Sequence, residues 1–419
     1  MKWSPLQERA LSLVSDWKKS GGKDPFYLAG YAGTGKTTLA KDFASAIGGQ
    51  VCFAAFTGKA AHVLRQKGCP GATTIHSLIY TPTERSKQRL RHLQEELDQL
   101  INEIRSEVPH DDRGTDYEKN AIDGHPLVIK AREQINNEMQ GLKSPSFSLN
   151  LDSELRHADL LVIDECSMVD EKMGEDLLSF GVPTLVLGDP AQLPPVKGAG
   201  YFTDRKPDLL LTEIHRQAED NPIIRMATDV REGRRLEEGD YGESRVITMD
   251  EGETHMYTSH DQILCGREKP SGAIYRRNLN RRVRQIMGRN SVYPVPGDKL
   301  VCLRNDHEEG LLNGSLWSTL DCQEVDINST GLTVKGESGL EVNCVSHARI
   351  FRGEEVPFYE MKEAQHFDYG YVMTCHKAQG SQWPSVLIFD QSPIFRENAR
   401  KWLYTAITRA AERVTVIRC

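Results

Sequence analysis

The sequence has little that would suit a secreted, metal-stapled or membrane-spanning protein. Its nine cysteines are scattered and include no C-x-x-C pair, so we expect reduced thiols rather than a zinc site or a disulfide framework. No apolar run approaches the roughly 20 residues that a membrane helix requires. The opening residues, MKWSPLQERALSLV, lack the long apolar core of a signal peptide. These absences predict a cytoplasmic protein without a membrane partner.

Positive charge is also in deficit, because 52 lysines and arginines face 60 aspartates and glutamates and leave a net charge of −8. Overall charge therefore does not indicate a nucleic-acid partner, and any such site must be a local groove. There is no internal repeat and no low-complexity tail. The length of 419 residues predicts two to four domains.

The stretch GYAGTGKTTLA, residues 30–40, predicts a loop that binds nucleotide phosphates. It fits the pattern G-x-x-x-x-G-K-[ST], with an apolar strand before it and an amphipathic helix after it. The glycines let backbone N–H groups face phosphate oxygens, Lys36 reaches the β and γ phosphates, and Thr37 offers its hydroxyl to Mg²⁺. The residues that we expect to contact ATP are Gly30, Tyr31, Ala32, Gly33, Thr34, Gly35, Lys36, Thr37 and Thr38.

Polar residues follow two other apolar strands. Asp164 and Glu165 close LLVIDE, where an aspartate can hold Mg²⁺ through water and a glutamate can activate the attacking water. A small-molecule kinase does not need that glutamate, so the pair favours hydrolysis. Gln192 follows TLVLG, and its amide can hydrogen-bond a γ-phosphate or the lytic water.

Continuous apolar runs predict an α/β fold with parallel sheets covered on both faces. These runs are residues 51–59, 158–168, 184–196, 385–390 and 413–419. Functional residues of such sheets lie at the carboxyl ends of the strands.

Two stretches depart from this pattern. Residues 82–143 are highly charged and carry a helical apolar seam, which predicts an inserted helical hairpin between the strand-like flanks SLIYT and FSLNL. Residues 314–366 hold short strands separated by Gly, Asn and Ser, which predicts a small all-β barrel. The seam is formed by Leu90, Leu93, Leu97, Leu100, Ile104 and Val108, and a weaker helical pattern by Ile129, Ile135, Met139 and Leu142.

Eight stretches, in order from residue 30 to residue 410, resemble the motifs of superfamily 1 helicases, closest to the RecD/Dda-like branch. They are GYAGTGKTT, AAFTGKAA, TTIHSL, VIDECSM, LGDPAQLPPV, LTEIHRQ, YVMTCHKAQGSQW and LYTAITRA. The resemblance implies two RecA-like domains that bind ATP and Mg²⁺ between them, and 5′→3′ movement on single-stranded DNA in the cytoplasm of a bacterium or a phage-infected cell.

The resemblance also implies a division of the chain. Residues 1–81 and 144–200 would form RecA-like domain 1A, and residues 201–313 and 367–419 RecA-like domain 2A. Residues 82–143 would form domain 1B, and residues 314–366 an SH3-like domain 2B. The family usually carries a β-hairpin pin in 1B, whereas this insert is longer and helical. Either its helices meet the duplex junction or they only dock a partner.

Particular residues take roles from the same resemblance. Arg216 and Arg409 match two arginines that reach the γ-phosphate from domain 2A, where they join Lys36, Glu165 and Gln192 as catalytic groups. Gln7 resembles the family's adenine-reading glutamine, and Gly380 falls in a nucleotide-contacting motif. The residues expected to bind DNA are Phe56, Thr57, Lys59, His76, Thr374, His376 and Lys377. The basic helix at 275–285 is either a track for the DNA backbone or a solvated face.

We therefore expect an ATP-dependent helicase that unwinds duplex DNA, acts at junctions of single- and double-stranded DNA, and is a monomer. Replication or recombination proteins are its candidate partners. One alternative is a translocase that strips proteins from single-stranded DNA, and another is the motor subunit of a larger recombination or nuclease complex. A P-loop kinase, a switch protein or a catalytically dead scaffold would not need the paired arginines and the DNA motifs.

Overall fold

The computed structural model describes residues 3–82, 87–109, 113–143, 147–196, 198–213, 221–268, 274–306, 309–354, 356 and 364–419. These residues form two six-stranded sheets, one five-stranded sheet and a two-stranded ribbon. Among them, no helix is both long enough and apolar enough to span a membrane. All nine cysteines fall within the described ranges and are free thiols.

The strands are β1 (Phe26–Gly30), β2 (Val51–Ala55), β3 (Thr73–Thr74), β4 (Tyr80–Pro82), β5 (Phe147–Leu149), β6 (Leu160–Asp164), β7 (Thr184–Gly188), β8 (Leu209–Leu211), β9 (Gly239–Tyr241), β10 (Ser244–Thr248), β11 (Gln262–Cys265), β12 (Lys299–Cys302), β13 (Leu316–Glu324), β14 (Ser329–Gly336), β15 (Glu341–His347), β16 (Phe367–Tyr369), β17 (Val372–Thr374), β18 (Trp383–Asp390) and β19 (Ala410–Arg418).

The helices are α1 (Pro5–Lys19), α2 (Lys36–Ile47), α3 (Gly58–Gln66), α4 (Ile75–Ile79), α5 (Lys87–Glu107), α6 (Asp116–Asp123), α7 (Pro126–Lys143), α8 (Glu171–Leu178), α9 (Pro222–Arg231), α10 (Met256–Ser259), α11 (Arg276–Ile286), α12 (Ala348–Arg352), α13 (Cys375–Ala378) and α14 (Ala399–Ile407).

The first sheet has the order β3-β2-β6-β7-β1-β8, and all its neighbouring strands are parallel. Adjacent residues of β1 serve opposite faces, because Leu28 packs into one apolar core and Tyr27 into the other. Because the strands are parallel and β7 lies between β6 and β1, the carboxyl ends of these three strands lie side by side. We call this sheet with its helices the first α/β unit. It continues past the predicted boundary at residue 200, since β8 pairs with β1.

The second sheet has the order β17-β11-β18-β19-β10-β9 and is parallel except for the β9–β10 pair. With its helices it forms the second α/β unit. Trp402 of α14 is fully buried in its core. Leu193, from the loop after β7, packs into the same core, so the two units are in direct apolar contact.

A helical arm connects β4 to β5, and these two strands pair antiparallel as its base. Ile104 of α5 packs with Ile122 of α6 and Val128 of α7, and Leu97 and Leu100 of the predicted seam border this small core. The arm thus has three described helices where the sequence predicted a two-helix hairpin. The extra helix is α6, which Glu118 ties to α5 through a hydrogen bond from Arg105.

The five-stranded sheet has the order β15-β14-β13-β12-β16 and antiparallel pairing throughout. It includes β12 and β16, which lie on either side of the range 314–366. A parallel bridge between Ser346 and Gln365 joins β15 to the segment just before β16, so the two edges of the sheet approach each other. The sheet therefore curves toward closure.

Candidate active site and nucleic-acid groove

The loop between β1 and α2 has the backbone that its glycines predict. Gly33 and Gly35 both have φ of 80°, a left-handed conformation that favours glycine. A Cβ atom on Gly30 would lie 2.6 Å from the Thr34 hydroxyl oxygen, so that position excludes any larger residue. The loop turns tightly enough to present backbone N–H groups at the start of α2.

Lys36 and Thr37 are the first residues of α2, and their side chains lie at the carboxyl ends of β1 and β6. The Lys36 ammonium donates hydrogen bonds to the carbonyl oxygens of Gly30 at 2.5 Å and Tyr31 at 3.1 Å. The Thr37 hydroxyl donates to the Asp164 carboxylate at 2.7 Å. The end of β6 thus meets the start of α2, as the parallel sheet predicted.

Asp164 is a buried carboxylate that is held next to a second acid. Burial, followed by the negative charge of Glu165, raises the pKa of Asp164 to about 6, although the Thr37 hydrogen bond and Lys36 oppose this shift. Glu165 has φ of 54°, a strained conformation for a residue with a side chain, and its N–H donates to Asp164. The Thr37 hydroxyl and the Asp164 carboxylate are hard oxygen donors that suit Mg²⁺, and a divalent cation there would favour the ionised carboxylate.

Gln192 lies in the loop after β7, beside the carboxyl ends of β1 and β6. Its side chain is buried, and its Oε1 atom has no hydrogen-bond partner among the described residues. Its own N–H donates to the carbonyl oxygen of Asp189 at 3.1 Å. An orphaned buried acceptor at a strand end is unusual, and it fits a group that waits for a ligand.

Tyr404 of α14 reaches from the second α/β unit to this site. Its hydroxyl donates a 2.6 Å hydrogen bond to the Asp189 carboxylate and accepts one of 3.0 Å from the N–H of Ala32. Burial raises the pKa of Asp189. We did not predict Tyr404 or Asp189 from the sequence, although both stand in stretches that resemble helicase motifs. The signal in the sequence that could have indicated them is a polar side chain next to apolar residues.

Two further contacts fix the Gln192 loop against the second unit. The Leu193 N–H donates to the Thr405 hydroxyl at 2.9 Å, and Gln379 donates from its amide to the Leu193 carbonyl at 3.1 Å. Gly380 follows with φ of 76°, and a Cβ atom there would lie 2.7 Å from the Thr57 hydroxyl. The structure therefore places Gly380 against Thr57, a predicted DNA-binding residue.

Gln7 lies beside the phosphate-binding loop. Its amide oxygen accepts from the Ser4 N–H at 3.0 Å, which completes a capping box at the start of α1. Its amide nitrogen donates to the Thr34 carbonyl oxygen at 3.1 Å. The oxygen and the nitrogen of the amide thus both contact protein groups, and the side chain links the start of α1 to the phosphate-binding loop.

Arg409 is buried within the second α/β unit, 6% exposed. Its guanidinium donates to the carbonyl oxygens of Thr405 at 3.0 Å and Ser381 at 3.2 Å, and to the Thr408 hydroxyl at 3.1 Å. These partners belong to its own unit, and the contact of Arg409 with the γ-phosphate stays a prediction. Arg216, the other predicted arginine, lies outside the described residues.

Other cations stand near the phosphate-binding loop. The Arg231 guanidinium lies over the ring of Tyr31, with its carbon 3.7 Å from the ring centroid. Tyr31 and Arg231 line a pocket of about 320 Å³, and Arg400 and Lys401, at the start of α14, line it too. Sequence reasoning missed these three cations because none of them falls in a recognisable motif.

A groove of about 490 Å³ brings together most of the predicted DNA-binding residues. Both α/β units contribute to it, and the loop between β12 and β13 adds Leu303, Asn305 and Asn313, which we did not predict. Thr374 is the exception. It is buried, and its hydroxyl caps α13 by accepting from the Lys377 N–H at 3.4 Å. The predicted residues in the groove are Phe56, Thr57, Lys59, His76, His376 and Lys377.

The two lysines of the groove are held only loosely by acids. The Lys59 ammonium lies 3.5 Å from the Glu337 carboxylate, and that of Lys377 lies 3.6 Å from Glu268. Pairs of this length on an exposed surface contribute little, so a phosphate can replace the carboxylate at small cost. Lys59 also lies 5.2 Å from the ring centroid of Trp383.

The two histidines of the groove suit stacking more than charge. Burial lowers the pKa of both His76 and His376, which favours neutral rings. The His76 ring meets the half-exposed Phe147 ring edge to face, with centroids 4.2 Å apart. Because Phe147 begins β5, the base of the helical arm adjoins the groove.

Helix α11 carries the basic stretch 275–285. Arg276 pairs with Asp368 at 2.6 Å, and Arg284 pairs with Asp298 at 3.0 Å. Both arginines are buried, so they form structural ion pairs with the five-stranded sheet and its lead-in loop, and neither belongs to a solvated face or a DNA track. The exposed arginines of the helix are Arg277, Arg281 and Arg282.

Two family models match separate parts of the chain. The model described as AAA domain matches residues 20–251, more than half of the sequence, and the model described as UvrD-like helicase C-terminal domain matches residues 369–417. The first match contains the phosphate-binding loop and the acidic pair. The second contains α13 and α14.

Two curated relatives are similar in sequence. The ATP-dependent RecD2 DNA helicase of Deinococcus radiodurans is 27% identical over 92% of this chain and 46% of its own length. The RecBCD enzyme subunit RecD of Mycolicibacterium smegmatis is 25% identical over 62% of this chain and 50% of its own length. The chain thus spans about half the length of the curated relatives that it matches.

Solved structures share the fold. A structure of two coordinating Pif1 helicases at forked double-stranded DNA has a TM-score of 0.52 and 17% identity, covering 99% of this chain and 92% of that one. Bacteroides Pif1 bound to single-stranded DNA gives 0.51 and 17%, with the same coverage. The first of the two family models spans more than half of the sequence, so the chain belongs to the AAA domain family, and its sequence and fold are similar to those of RecD and Pif1 helicases.

Proposed function

We propose that the protein is an ATP-dependent DNA helicase that moves 5′→3′ on single-stranded DNA and unwinds duplexes. The observation that supports this most strongly is that one interface serves two sites. The Gln192 loop meets Gln379 through Leu193, and the next residue, Gly380, meets Thr57 of the groove. A change in the nucleotide cleft therefore has a direct path to the DNA groove.

The chemistry of hydrolysis follows from the residues of the first unit. Lys36 would exchange its carbonyl partners for phosphate oxygens, where its charge offsets that of the β and γ phosphates. Mg²⁺, held by Thr37 and Asp164, would neutralise charge on the same oxygens. Glu165 would take the proton of the attacking water, and the free amide oxygen of Gln192 would accept a hydrogen bond from that water and orient it.

Movement would come from closing and opening the cleft between the two units. ATP would draw α14 and the Gln192 loop toward the phosphate-binding loop, and hydrolysis would release them. Because Lys59 and Lys377 belong to different units, closure would shift one phosphate contact along the strand relative to the other. The 5′→3′ direction rests on the HKAQGSQ stretch, residues 376–382, which resembles the branch with that polarity.

The proposed domain roles follow the same frame. The two α/β units would be RecA-like domains 1A and 2A, the arm would be 1B, and the five-stranded sheet would be an SH3-like 2B. The contact of Phe147 with His76 supports a role for the arm in guiding the strand at a junction. Replacing residues 84–142 with a Gly-Ser linker should then spare DNA-stimulated hydrolysis and reduce unwinding.

A second candidate is the motor of a larger assembly, or a translocase that displaces proteins. It is favoured by one observation: the matched relatives are about twice as long as the matched region, and one of them is a subunit of RecBCD. Replication, recombination or repair proteins would be the partners in that case. A monomer that unwinds DNA without other proteins would favour the first candidate.

ATP turnover with and without a single-stranded oligonucleotide tests the proposal. We expect strong stimulation by DNA in the wild type. Lys36→Ala should abolish turnover, and Glu165→Gln should keep ATP binding while turnover falls by about 10²-fold or more, since only the water-activating carboxylate is lost. Equal turnover with and without DNA would contradict a motor, and normal turnover by Glu165→Gln would contradict the assigned base.

A further inference from the structure

A pocket of about 320 Å³ opens beside the phosphate-binding loop and carries an excess of positive charge. Tyr31 of the loop forms one wall, and Tyr404 of α14 forms another. Three cations from the second α/β unit, Arg231, Arg400 and Lys401, face a single acid, Glu397. A concave, positively charged site of this kind attracts small anions.

Two of these cations have no protein acceptor. Within the ranges that the structure describes, neither Arg400 nor Lys401 takes part in a hydrogen bond or an ion pair. Among the described residues, Arg231 bonds only the carboxylate of its neighbour Glu232, at 3.2 Å, and its guanidinium otherwise lies over the Tyr31 ring. Lone cations are common on open surfaces, but these three line one pocket, where an anion can accept from more than one donor.

The pocket lies one side chain away from the proposed site of hydrolysis. Tyr404 lines the pocket with its ring, while its hydroxyl contacts Ala32 of the phosphate-binding loop and Asp189. Asp189 in turn interacts electrostatically with Lys36 and Glu165. Tyr404 therefore stands between the pocket and the charges that would act on the γ-phosphate.

We propose that this pocket binds inorganic phosphate on its way out of the active site. The inference rests on the proposed ATP hydrolysis, which supplies the anion. Water adds to the γ-phosphorus, the bond from that phosphorus to the bridging oxygen breaks, and the oxygen leaves on ADP with the electron pair. The proton lost by water passes to Glu165 and then to solvent. The phosphate moves past Tyr404 to Arg231, Arg400 and Lys401, which hold it until it exchanges with water.

DNA and bound ATP also carry phosphate groups, but neither fits the pocket as well as free phosphate does. The DNA groove shares no lining residue with it, so a strand in the groove does not bring its backbone there. The γ-phosphate of bound ATP would lie at the Lys36 ammonium, and Lys36 is not among the described residues that line this pocket. A free phosphate is small enough to pass between the two sites.

Phosphate binding with the loop already occupied by ADP tests the assignment. We would measure equilibrium dialysis of radiolabelled inorganic phosphate in saturating Mg·ADP, for the wild type and for Arg400→Ala/Lys401→Ala. We expect one phosphate per wild-type chain and about tenfold or more weaker binding in the double variant, because two charged donors are lost. The matched control is Lys18→Ala/Lys19→Ala, which removes two adjacent cations at the end of α1 and should bind phosphate like the wild type.

Three results would overturn the assignment. The first is that the wild type binds no phosphate at concentrations up to about 10 mM, since an affinity that weak is below any useful product site. The second is that the double variant binds phosphate as tightly as the wild type. The third is that the Lys18→Ala/Lys19→Ala control loses as much phosphate affinity as the double variant. A non-hydrolysable ATP analogue and a single-stranded oligonucleotide identify the anion. The double variant should bind both normally, and weaker binding of either would mean that these cations serve that ligand instead. Because the dialysis needs no turnover, failure of DNA-stimulated hydrolysis would count against the proposed function separately.

Discussion

The Tyr404 hydroxyl lies 2.6 Å from the Asp189 carboxylate, and this hydrogen bond joins the two α/β units at the phosphate-binding loop. Both side chains are buried, so neither group has ready access to water. The same hydroxyl accepts from the Ala32 N–H, and it therefore holds three chain segments together. A nucleotide that alters the loop must also alter this contact, which makes it a point of coupling between the units.

Removing this hydroxyl should weaken the junction. Tyr404→Phe leaves the Asp189 carboxylate and the Ala32 N–H without their partner, and we expect the free energy of unfolding to fall by about 1–3 kcal/mol. Urea unfolding measures this change. Tyr117→Phe, at an exposed tyrosine of the arm, is the control and should leave stability unchanged. A Tyr404→Phe protein within about 0.5 kcal/mol of the wild type would show that the contact is not held in solution.

Arg409 should prove structural as well as functional. Arg409→Ala leaves the Ser381 carbonyl oxygen without a buried donor and removes one of the two donors to the Thr405 carbonyl oxygen, so we expect a lower Tm together with reduced ATP turnover. The two readouts are taken on the same preparation. Arg413→Ala removes a more exposed guanidinium from the same region and is the control. Lost turnover with an unchanged Tm would mean that Arg409 leaves these carbonyls and acts on the nucleotide directly.

The raised pKa of Asp164 gives stability a pH dependence of known sign. The folded chain binds this proton more tightly than the unfolded chain does, so the free energy of unfolding falls as the pH rises from 3.8 to about 6. Asp164→Asn removes the buried charge. Without metal and nucleotide, we expect its stability relative to the wild type to be about 1–3 kcal/mol more favourable at high pH than below this window. A difference that stays constant across the window would contradict the burial of an ionised carboxylate.

The groove lysines should account for part of the salt dependence of DNA binding. Lys59→Ala/Lys377→Ala removes one cation from each unit, and we expect weaker binding of oligo-dT and a salt slope reduced by about 1–2. Fluorescence anisotropy over a salt series measures both quantities. The Lys18→Ala/Lys19→Ala protein should keep the wild-type slope. An unchanged slope in the groove variant would place the DNA elsewhere.

Local patterns were sufficient to predict the nucleotide loop and the acidic pair. Gly30, Gly33 and Gly35 need no partner outside the loop to impose its shape, and Asp164 and Glu165 follow directly from the end of an apolar strand. Six of the seven residues predicted to bind DNA line one groove, since their loops follow parallel strands and lie at the carboxyl ends of those strands. Thr374 does not line it, and Leu303, Asn305 and Asn313 were not predicted.

The contacts between the units could not be predicted in this way. Tyr404 and Asp189 are far apart in sequence, and nothing in either local pattern encodes their meeting. Arg409 stands in a motif-like stretch, yet its environment is set by the carbonyl of Ser381, which comes from a separate loop. The stretch 275–285 has the composition of a surface helix. Arg276 and Arg284 are buried because they pair with Asp368 and Asp298, whose positions the local pattern does not indicate.

Direction of unwinding tests the central claim most directly. Two duplexes of the same sequence, one with a 5′ single-stranded tail and one with a 3′ tail, would be mixed with the wild-type protein, ATP and Mg²⁺, and strand separation would be followed over time. We expect the 5′-tailed duplex to open and the 3′-tailed duplex to remain closed, with Lys36→Ala inactive on both. Opening of the 3′-tailed duplex alone would contradict the proposed direction, and failure to open either duplex while DNA-stimulated hydrolysis continues would contradict the helicase activity itself.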